Sequence, residues 1–393
     1  MKSITILMHN IFAMGGTVKA VTNLASQLAE RGHPVHIISI FQGAPRPYFT
    51  IHPNIKITSL VNYRLSPQNI TSILYNRLHK YVGLAKPRII SQHEPGRQQF
   101  NRHVERRLIK ALQHVDTDVL ISTRASFNII TAQYAPQSVE KIGMEHMNLA
   151  AYPDAYQREM LVAYQDLDKL TVLTSKDQAA YQAELETPVY VIPNMIDESR
   201  LDVQRQKVIV AAGRLEYEKG FDLLIESVNK AQETLREYGY QVHIYGNGQE
   251  KDHLNDLIHQ YQLSDVIQLR EPTSQLAQVF ASSQITIVPS RNEGFGMVIL
   301  EAMNQGSIVL SYDGTTGPAS LINHKENGYL LPHADTRALA RQLEAIIQHP
   351  EQCKSIREHG FNTVEKFTPD QVYKQFNQMI QDLSLIHTDA ADE

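Results

Sequence analysis

Apolar residues fall along this chain in short runs separated by longer amphipathic stretches, and the alternation is drawn twice. Residues 4–8 make a nearly unbroken apolar run that reads as a buried strand. Residues 17–31 then place Val18, Val21, Leu24, Ala25 and Leu28 on one helical face. Gly32 stops that helix, and 35–41 is the next strand. Further strands are predicted at 55–60, 119–122, 140–144 and 170–174. After the last, Ser175-Lys-Asp-Gln reads as a helix start with its own cap. The pattern restarts with strands at 207–212, 241–245, 266–269, 285–289 and 308–311, and helices at 222–238, 250–261, 273–282 and 297–304 lie between them. Short apolar strands alternating with helices predict parallel sheets covered on both faces.

The expected class is therefore α/β, with two facing doubly wound Rossmann-like domains. Ligands bind such sheets outside the carboxyl ends of the strands, which puts the expected site in a cleft between the two. The first domain is expected over residues 1–195 and the second over 196–368, with a hinge near 193–197. A last helix is predicted over 369–385, ending in an acidic tail after His387, to make up residues 369–393.

A chain of 393 residues exceeds one ordinary domain, and 42% hydrophobic with 20% charged residues supplies two cores. The net charge of −5 conceals an asymmetry. Residues 1–200 carry 21 Lys and Arg against 16 Asp and Glu, and the remainder carries 16 against 26. One cysteine, Cys353, excludes an intramolecular disulfide. The first apolar run is too short for a signal-peptide core, and no stretch approaches the ~20 apolar residues of a membrane span. The expected location is the cytoplasm, with peripheral contact at the inner membrane face as an option.

The chemistry concentrates in Pro289-Ser-Arg-Asn-Glu293-Gly-Phe-Gly-Met-Val-Ile-Leu-Glu301, where an apolar strand runs out and a helix begins. A spacing of eight is slightly more than two helical turns, so Glu293 and Glu301 are expected on one side of the same cleft. Gly294 and Gly296 let backbone approach a ligand closely, and the new helix offers amides to an anion. That combination suits a sugar attached to a phosphate. Arg214 and Lys219 follow another strand, where cations would neutralise charge building on a leaving diphosphate. Their plain alternative is a surface ion pair with Glu216 or Glu218.

Five ordered motifs resemble the GT-B glycosyltransferases of family 4, retaining nucleotide-sugar transferases. They are Ala212-Gly-Arg214-Leu-Glu-Tyr-Glu-Lys219-Gly, Tyr245-Gly-Asn-Gly248, the glutamate pair, Gly317-Pro318 and Asn327-Gly-Tyr-Leu-Leu331. The resemblance is strongest over 208–331, and it implies that residues 1–195 bind the acceptor, that 196–368 bind the donor, and that the last helix crosses back to the first domain. It implies that Arg214 and Lys219 hold the diphosphate, Glu301 the ribose hydroxyls and Glu293 the donor sugar. Backbone from Gly294 through Phe295, Gly296 and Met297 to Val298 would meet sugar and phosphate. Gly246, with Gly248, would flank the nucleotide, although a plain turn competes. In the first half, Gly15 and Gly16 form the family's glycine loop, with the helix dipole behind them. His146, in Gly143-Met-Glu145-His146, resembles a family histidine near the donor sugar, although with 17 histidines its type alone says little. The resemblance implies transfer of a hexose or N-acetylhexosamine, from a UDP-sugar by preference, with Glu293, His146, Arg214 and Lys219 at the reaction centre.

Asp116-Thr-Asp118 and Asp166-Leu-Asp168 fit a metal-chelating Asp-x-Asp, but each precedes a strand, where Asp caps a turn. No metal and no other cofactor is expected. Residues 77–110 hold nine Lys and Arg against Glu94 and Glu105. They read either as a solvated helical surface or as a dock for anionic lipid or a phosphate-rich polymer. The second reading tilts the acceptor toward a cell-envelope polymer such as wall teichoic acid, or a lipid-linked glycan, with capsule or exopolysaccharide close behind. No nucleic-acid motif appears. Two other classes stay open: a catalytically silent module partnering another transferase, and a sugar-nucleotide epimerase. Oligomeric state is not legible.

Overall fold

The computed structural model describes residues 1–64, 66–314 and 316–381. The chain divides into two compact units, Met1–Met195 joined by the chain from Pro369, and Ile196–Thr368. The first carries strands β1 (Ile4–Met8), β2 (Val35–Gln42), β3 (Lys56–Asn62), β4 (Val119–Ser122), β5 (Glu140–Met144), β6 (Lys169–Val172) and β7 (Val189–Val191). Its helices are α1 (Gly16–Glu30), α2 (Ile70–Val82), α3 (Arg102–Gln113), α4 (Ala125–Tyr134), α5 (Asp154–Tyr164) and α6 (Ser175–Gln182). The second carries β8 (Val208–Ala212), β9 (Gln241–Tyr245), β10 (Ile267–Arg270), β11 (Ile285–Val288), β12 (Ile308–Asp313) and β13 (Tyr329–Pro332). With them go α7 (Phe221–Tyr238), α8 (Lys251–Gln260), α9 (Leu276–Ser282), α10 (Met297–Asn304), α11 (Thr316–Leu321), α12 (Thr336–Gln348) and α13 (Lys354–Val364). The last helix, α14 (Pro369–Ile380), belongs to the first unit.

Among the described residues both sheets are wholly parallel, in the orders β3-β2-β1-β4-β5-β6-β7 and β10-β9-β8-β11-β12-β13. These are two Rossmann-like domains of the same winding. In each the order reverses between two central strands, β1 and β4 in one unit, β8 and β11 in the other. The loops leaving those strands diverge there and open a crevice.

Alternation along β1 shows why the sheet is buried twice over. Ile4, Ile6 and Met8 join one core cluster and Leu7 another. The first cluster is closed by α14, whose Val372, Phe376, Met379 and Ile380 pack with Val21, Leu24 and Leu28 of α1. Lys2 Nζ donates to the Ile380 carbonyl at 2.7 Å and Lys169 Nζ to that of Met379 at 2.9 Å, while Glu140 pairs with both ammoniums. Cations at a helix C-terminus satisfy orphan carbonyls and complement the dipole.

One expectation changes, and two strands are added. The cap of α6 is Thr174, whose Oγ1 accepts from the Asp177 amide at 3.1 Å, because Ser175 is already inside the helix. Strands β7 and β13 were not predicted. The tail after His387 and the predicted helical residues 382–385 lie outside the described residues.

Candidate active site

In the second unit the crevice is built by the loops after β8 and β11. Past Ala212, the chain makes a short 3-10 turn, Tyr217–Lys219, and Gly220 takes a left-handed φ of 67° before α7. A Cβ there would lie 2.1 Å from the Pro289 carbonyl oxygen, so glycine is what lets this turn lie against the end of β11. The Arg291 amide donates to the Glu218 carbonyl at 2.8 Å. The Arg291 guanidinium grips Asp222 with two bonds of 2.7 and 2.6 Å and sits 4.0 Å from the Tyr217 ring centroid. Such a bidentate, stacked arginine fixes orientation as well as distance.

Across that clamp Lys219 Nζ meets Glu293 Oε2 at 2.7 Å, both side chains about four-fifths buried, and Ser290 Oγ donates to the same oxygen at 3.2 Å. Arg214 stands apart, largely exposed, 3.3 Å from Glu218. That is the surface pair the sequence offered as the plain alternative for the two cations. It holds for Arg214, where an exposed pair contributes little, and not for Lys219. Glu301 lies on α10 and is only 5% exposed, which excludes a solvated glutamate. The helical-spacing argument fails for Glu293, which precedes α10 in the loop and is placed by Lys219 and Ser290 instead.

Between the glutamates, Gly296 takes φ 93°, where a Cβ would press on Ile299 Cδ1 at 2.8 Å. Phe295 and Met297 are buried, and Val298 is half-buried. The first amides of α10 have no acceptor inside the helix, and no acidic side chain occupies its first turn. Gly317 lets α11 lie against the Phe295 backbone, at 2.6 Å from its carbonyl oxygen to a notional Cβ. Asn327 braces the same region, bonding the Asn323 amide, the Leu321 carbonyl and Thr363 Oγ1 at 2.8–2.9 Å. Gly246 and Gly248 answer to packing too. Cβ atoms there would lie 1.9 Å from the Gly213 oxygen and 2.3 Å from the Leu215 oxygen. The two loops run side by side, bonded Gly213 N to Tyr245 O and Leu215 N to Asn247 O.

The first unit repeats the topology with different contents. Gly15 caps α1 and Gly16 opens it, and a Cβ on either would meet nothing within 4 Å. Packing therefore does not demand these glycines, and the space before the α1 amides is open. His146 follows β5, partly buried, with no hydrogen-bond partner for Nε2 among the described residues. Burial lowers its pKa from 6.5 to about 4, so the ring is neutral. It lines a small cavity with Ala20, Leu24, Met144, Asn194 and Met195.

Beside it Glu145 is a residue the sequence reading passed over. It is 1% exposed and accepts from Tyr152 at 2.9 Å, Asn128 at 3.1 Å and Tyr164. Burial raises its pKa to about 7, against the pull of those donors. The second carboxylate of each Asp-x-Asp is engaged as a strand brace: Asp118 accepts from the Ser3 amide and hydroxyl at 2.6 and 2.8 Å, and Asp168 from the Lys141 amide at 2.7 Å.

Residues 195–363 match the family model of glycosyl transferases group 1. The second unit is a glycosyltransferase domain of group 1. The whole chain is 28% identical over 380 residues to an exopolysaccharide phosphotransferase of Streptomyces coelicolor. That match covers 94% of this chain but 40% of the relative, so the chain spans well under half of that protein. The amylovoran biosynthesis glycosyltransferase AmsD of Erwinia amylovora is 22% identical, over 97% of this chain and 100% of its own. A mutant of S. aureus TarM, solved with fondaparinux, alpha-GlcNAc-glycerol and UDP, superposes with TM-score 0.75 at 14% identity, covering 96% of this chain and 99% of that one. At that identity the likeness shows the fold, which is GT-B.

Within the glycosyltransferase domain, sequence reasoning missed Arg291, Asp222 and Ser290. Arg291 and Ser290 stand inside the motif that it quoted. Their signal is invisible without the fold, since Arg291 and Asp222 are 69 positions apart. Among the described residues no helix is long and apolar enough to cross a membrane.

Proposed function

We propose that the chain transfers a hexose or N-acetylhexosamine from a nucleotide-diphosphate sugar, a UDP-sugar by preference, to a hydroxyl of a cell-envelope glycan, retaining anomeric configuration. The observation that carries this is the Lys219–Glu293 pair, clamped by Arg291 at the mouth of the β8/β11 crevice beside the amides that open α10. A cation, a carboxylate and a helix start in one place suit a reaction that separates a sugar from a diphosphate.

In this reading the anomeric carbon–oxygen bond breaks and the terminal phosphate oxygen keeps the electron pair. Lys219 neutralises the charge that gathers there, and the exposed Arg214 swings from Glu218 to join it. The acceptor hydroxyl attacks from the same face and passes its proton to the leaving phosphate. Glu293 holds a sugar hydroxyl and stabilises positive charge at the anomeric carbon, and the buried Glu301 takes the ribose. Charge neutralisation by two cations leaves no step that requires a metal ion. The names of the Streptomyces and Erwinia relatives support an envelope or exported polysaccharide as acceptor, and the UDP in the TarM complex supports the donor.

Incubation with a panel of nucleotide sugars, followed by nucleotide release and thermal shift, tests this. A cognate donor at about 100 times its dissociation constant stabilises by about 2.7 kcal/mol. Removing one charge-stabilising group typically costs 10²–10³ in rate, so Lys219→Ala is expected to lose about that much. An Arg214→Ala, Lys219→Ala double variant as active as the parent sinks the proposal.

A further inference from the structure

Helix α2 turns a row of apolar side chains outward. The face toward α3 holds Ser72, whose hydroxyl lies 3.2 Å from His103 Nε2, and Tyr75, stacked on the same imidazole at 5.1 Å. Toward solvent stand Ile70, Leu74 and Tyr81, exposed by 61%, 53% and 75%. Spaced at i, i+4 and i+11, they make one stripe along the helix. Val82 and Leu84, equally exposed, extend it past the left-handed Gly83.

Scattered apolar residues on a surface are ordinary, but an exposed apolar row along one helix marks a contact surface. Cations are threaded through the row. Arg77 shares the stripe, Lys80 Nζ lies 5.7 Å from the Tyr81 ring centroid, and Lys86 and Arg88 follow. No Asp or Glu occurs anywhere between Glu30 and Glu94.

We propose that α2 and the loop after it lie on an anionic lipid bilayer. The apolar row enters the boundary between headgroups and acyl chains, and Arg77, Lys80, Lys86 and Arg88 sit at lipid phosphates. A soluble polyphosphate would use the cations and leave the apolar row wet. A second copy of the chain would set the same cations against one another. This surface is argued independently of the transferase reading.

Co-flotation of the full chain with vesicles tests it. The chain is expected to float with phosphatidylglycerol–phosphatidylcholine vesicles, to stay behind with phosphatidylcholine alone, and to release as salt rises. Leu74→Asp with Tyr81→Asp is expected to abolish flotation without changing the melting temperature, since both sites are exposed. Arg77→Ala and Lys80→Ala should each lower binding about five-fold. The proposal is overturned if the parent binds neither vesicle, if the double Asp variant floats as well as the parent, or if that variant only dissolves a dimer.

Discussion

Two glycine pairs look alike in the sequence, each between a strand and the helix after it, and the structure gives them opposite reasons. At Gly246 an added Cβ falls 1.9 Å from the Gly213 oxygen, a backbone atom that cannot swing aside. Clearing it means parting the loops after β8 and β9 by more than an ångström. That breaks Gly213 N to Tyr245 O and Leu215 N to Asn247 O, bonds of 3.0 and 2.9 Å. Two hydrogen bonds at about 1 kcal/mol each, with about 1–3 kcal/mol for overpacking, make Gly246→Ala cost about 3–5 kcal/mol. Gly15→Ala and Gly16→Ala meet nothing within 4 Å, and Gly15 has an extended φ of 161° open to any residue. Their stability should stay within about 0.5 kcal/mol of the parent, while nucleotide-sugar affinity falls if that space receives the ligand. Urea unfolding followed by far-ultraviolet circular dichroism, with donor titration alongside, separates the two. A Gly246→Ala protein unfolding at the parent's midpoint would refute the packing argument.

Arg291→Ala should destabilise the second unit by about 1–3 kcal/mol by leaving Asp222 unpaired, and should lower transfer by loosening the loop that carries Glu293. Arg291→Lys should restore little, since one ammonium cannot replace the bidentate grip; full rescue in a transfer assay counts against the clamp. Because burial holds the folded His146 near 4 against 6.5, the unfolded chain takes up the proton first. Its contribution is whole above pH 6.5 and lost as pH falls toward 4. Parent stability relative to His146→Asn should therefore rise by about 2 kcal/mol from pH 5 to 8. Glu145 runs the other way, its folded pKa of about 7 standing above 4.5. Its contribution is present below pH 4.5 and lost as pH rises to 7, so Glu145→Gln should gain on the parent between pH 5 and 8. Denaturant titrations at those two pH values check both signs.

Most strands were legible because a buried parallel strand is a short apolar run whatever surrounds it. Lys219 and Glu293 were named from local motifs, but not as partners. Glu293 owes its place to an ammonium 74 positions away, not to helical spacing. Glu145 went unnoticed because its meaning lies in Tyr152, Tyr164 and Asn128, which only the packing of α4 and α5 against β5 assembles.

By itself the sequence determined the two doubly wound units and the loops that carry the chemistry. Those rest on periodicity and local backbone demands, which neighbouring residues express. The tertiary structure decided which glycines serve packing, which cation meets which carboxylate, and which side of α2 faces water. These depend on atoms brought together from distant positions, and on how much solvent each pair has lost.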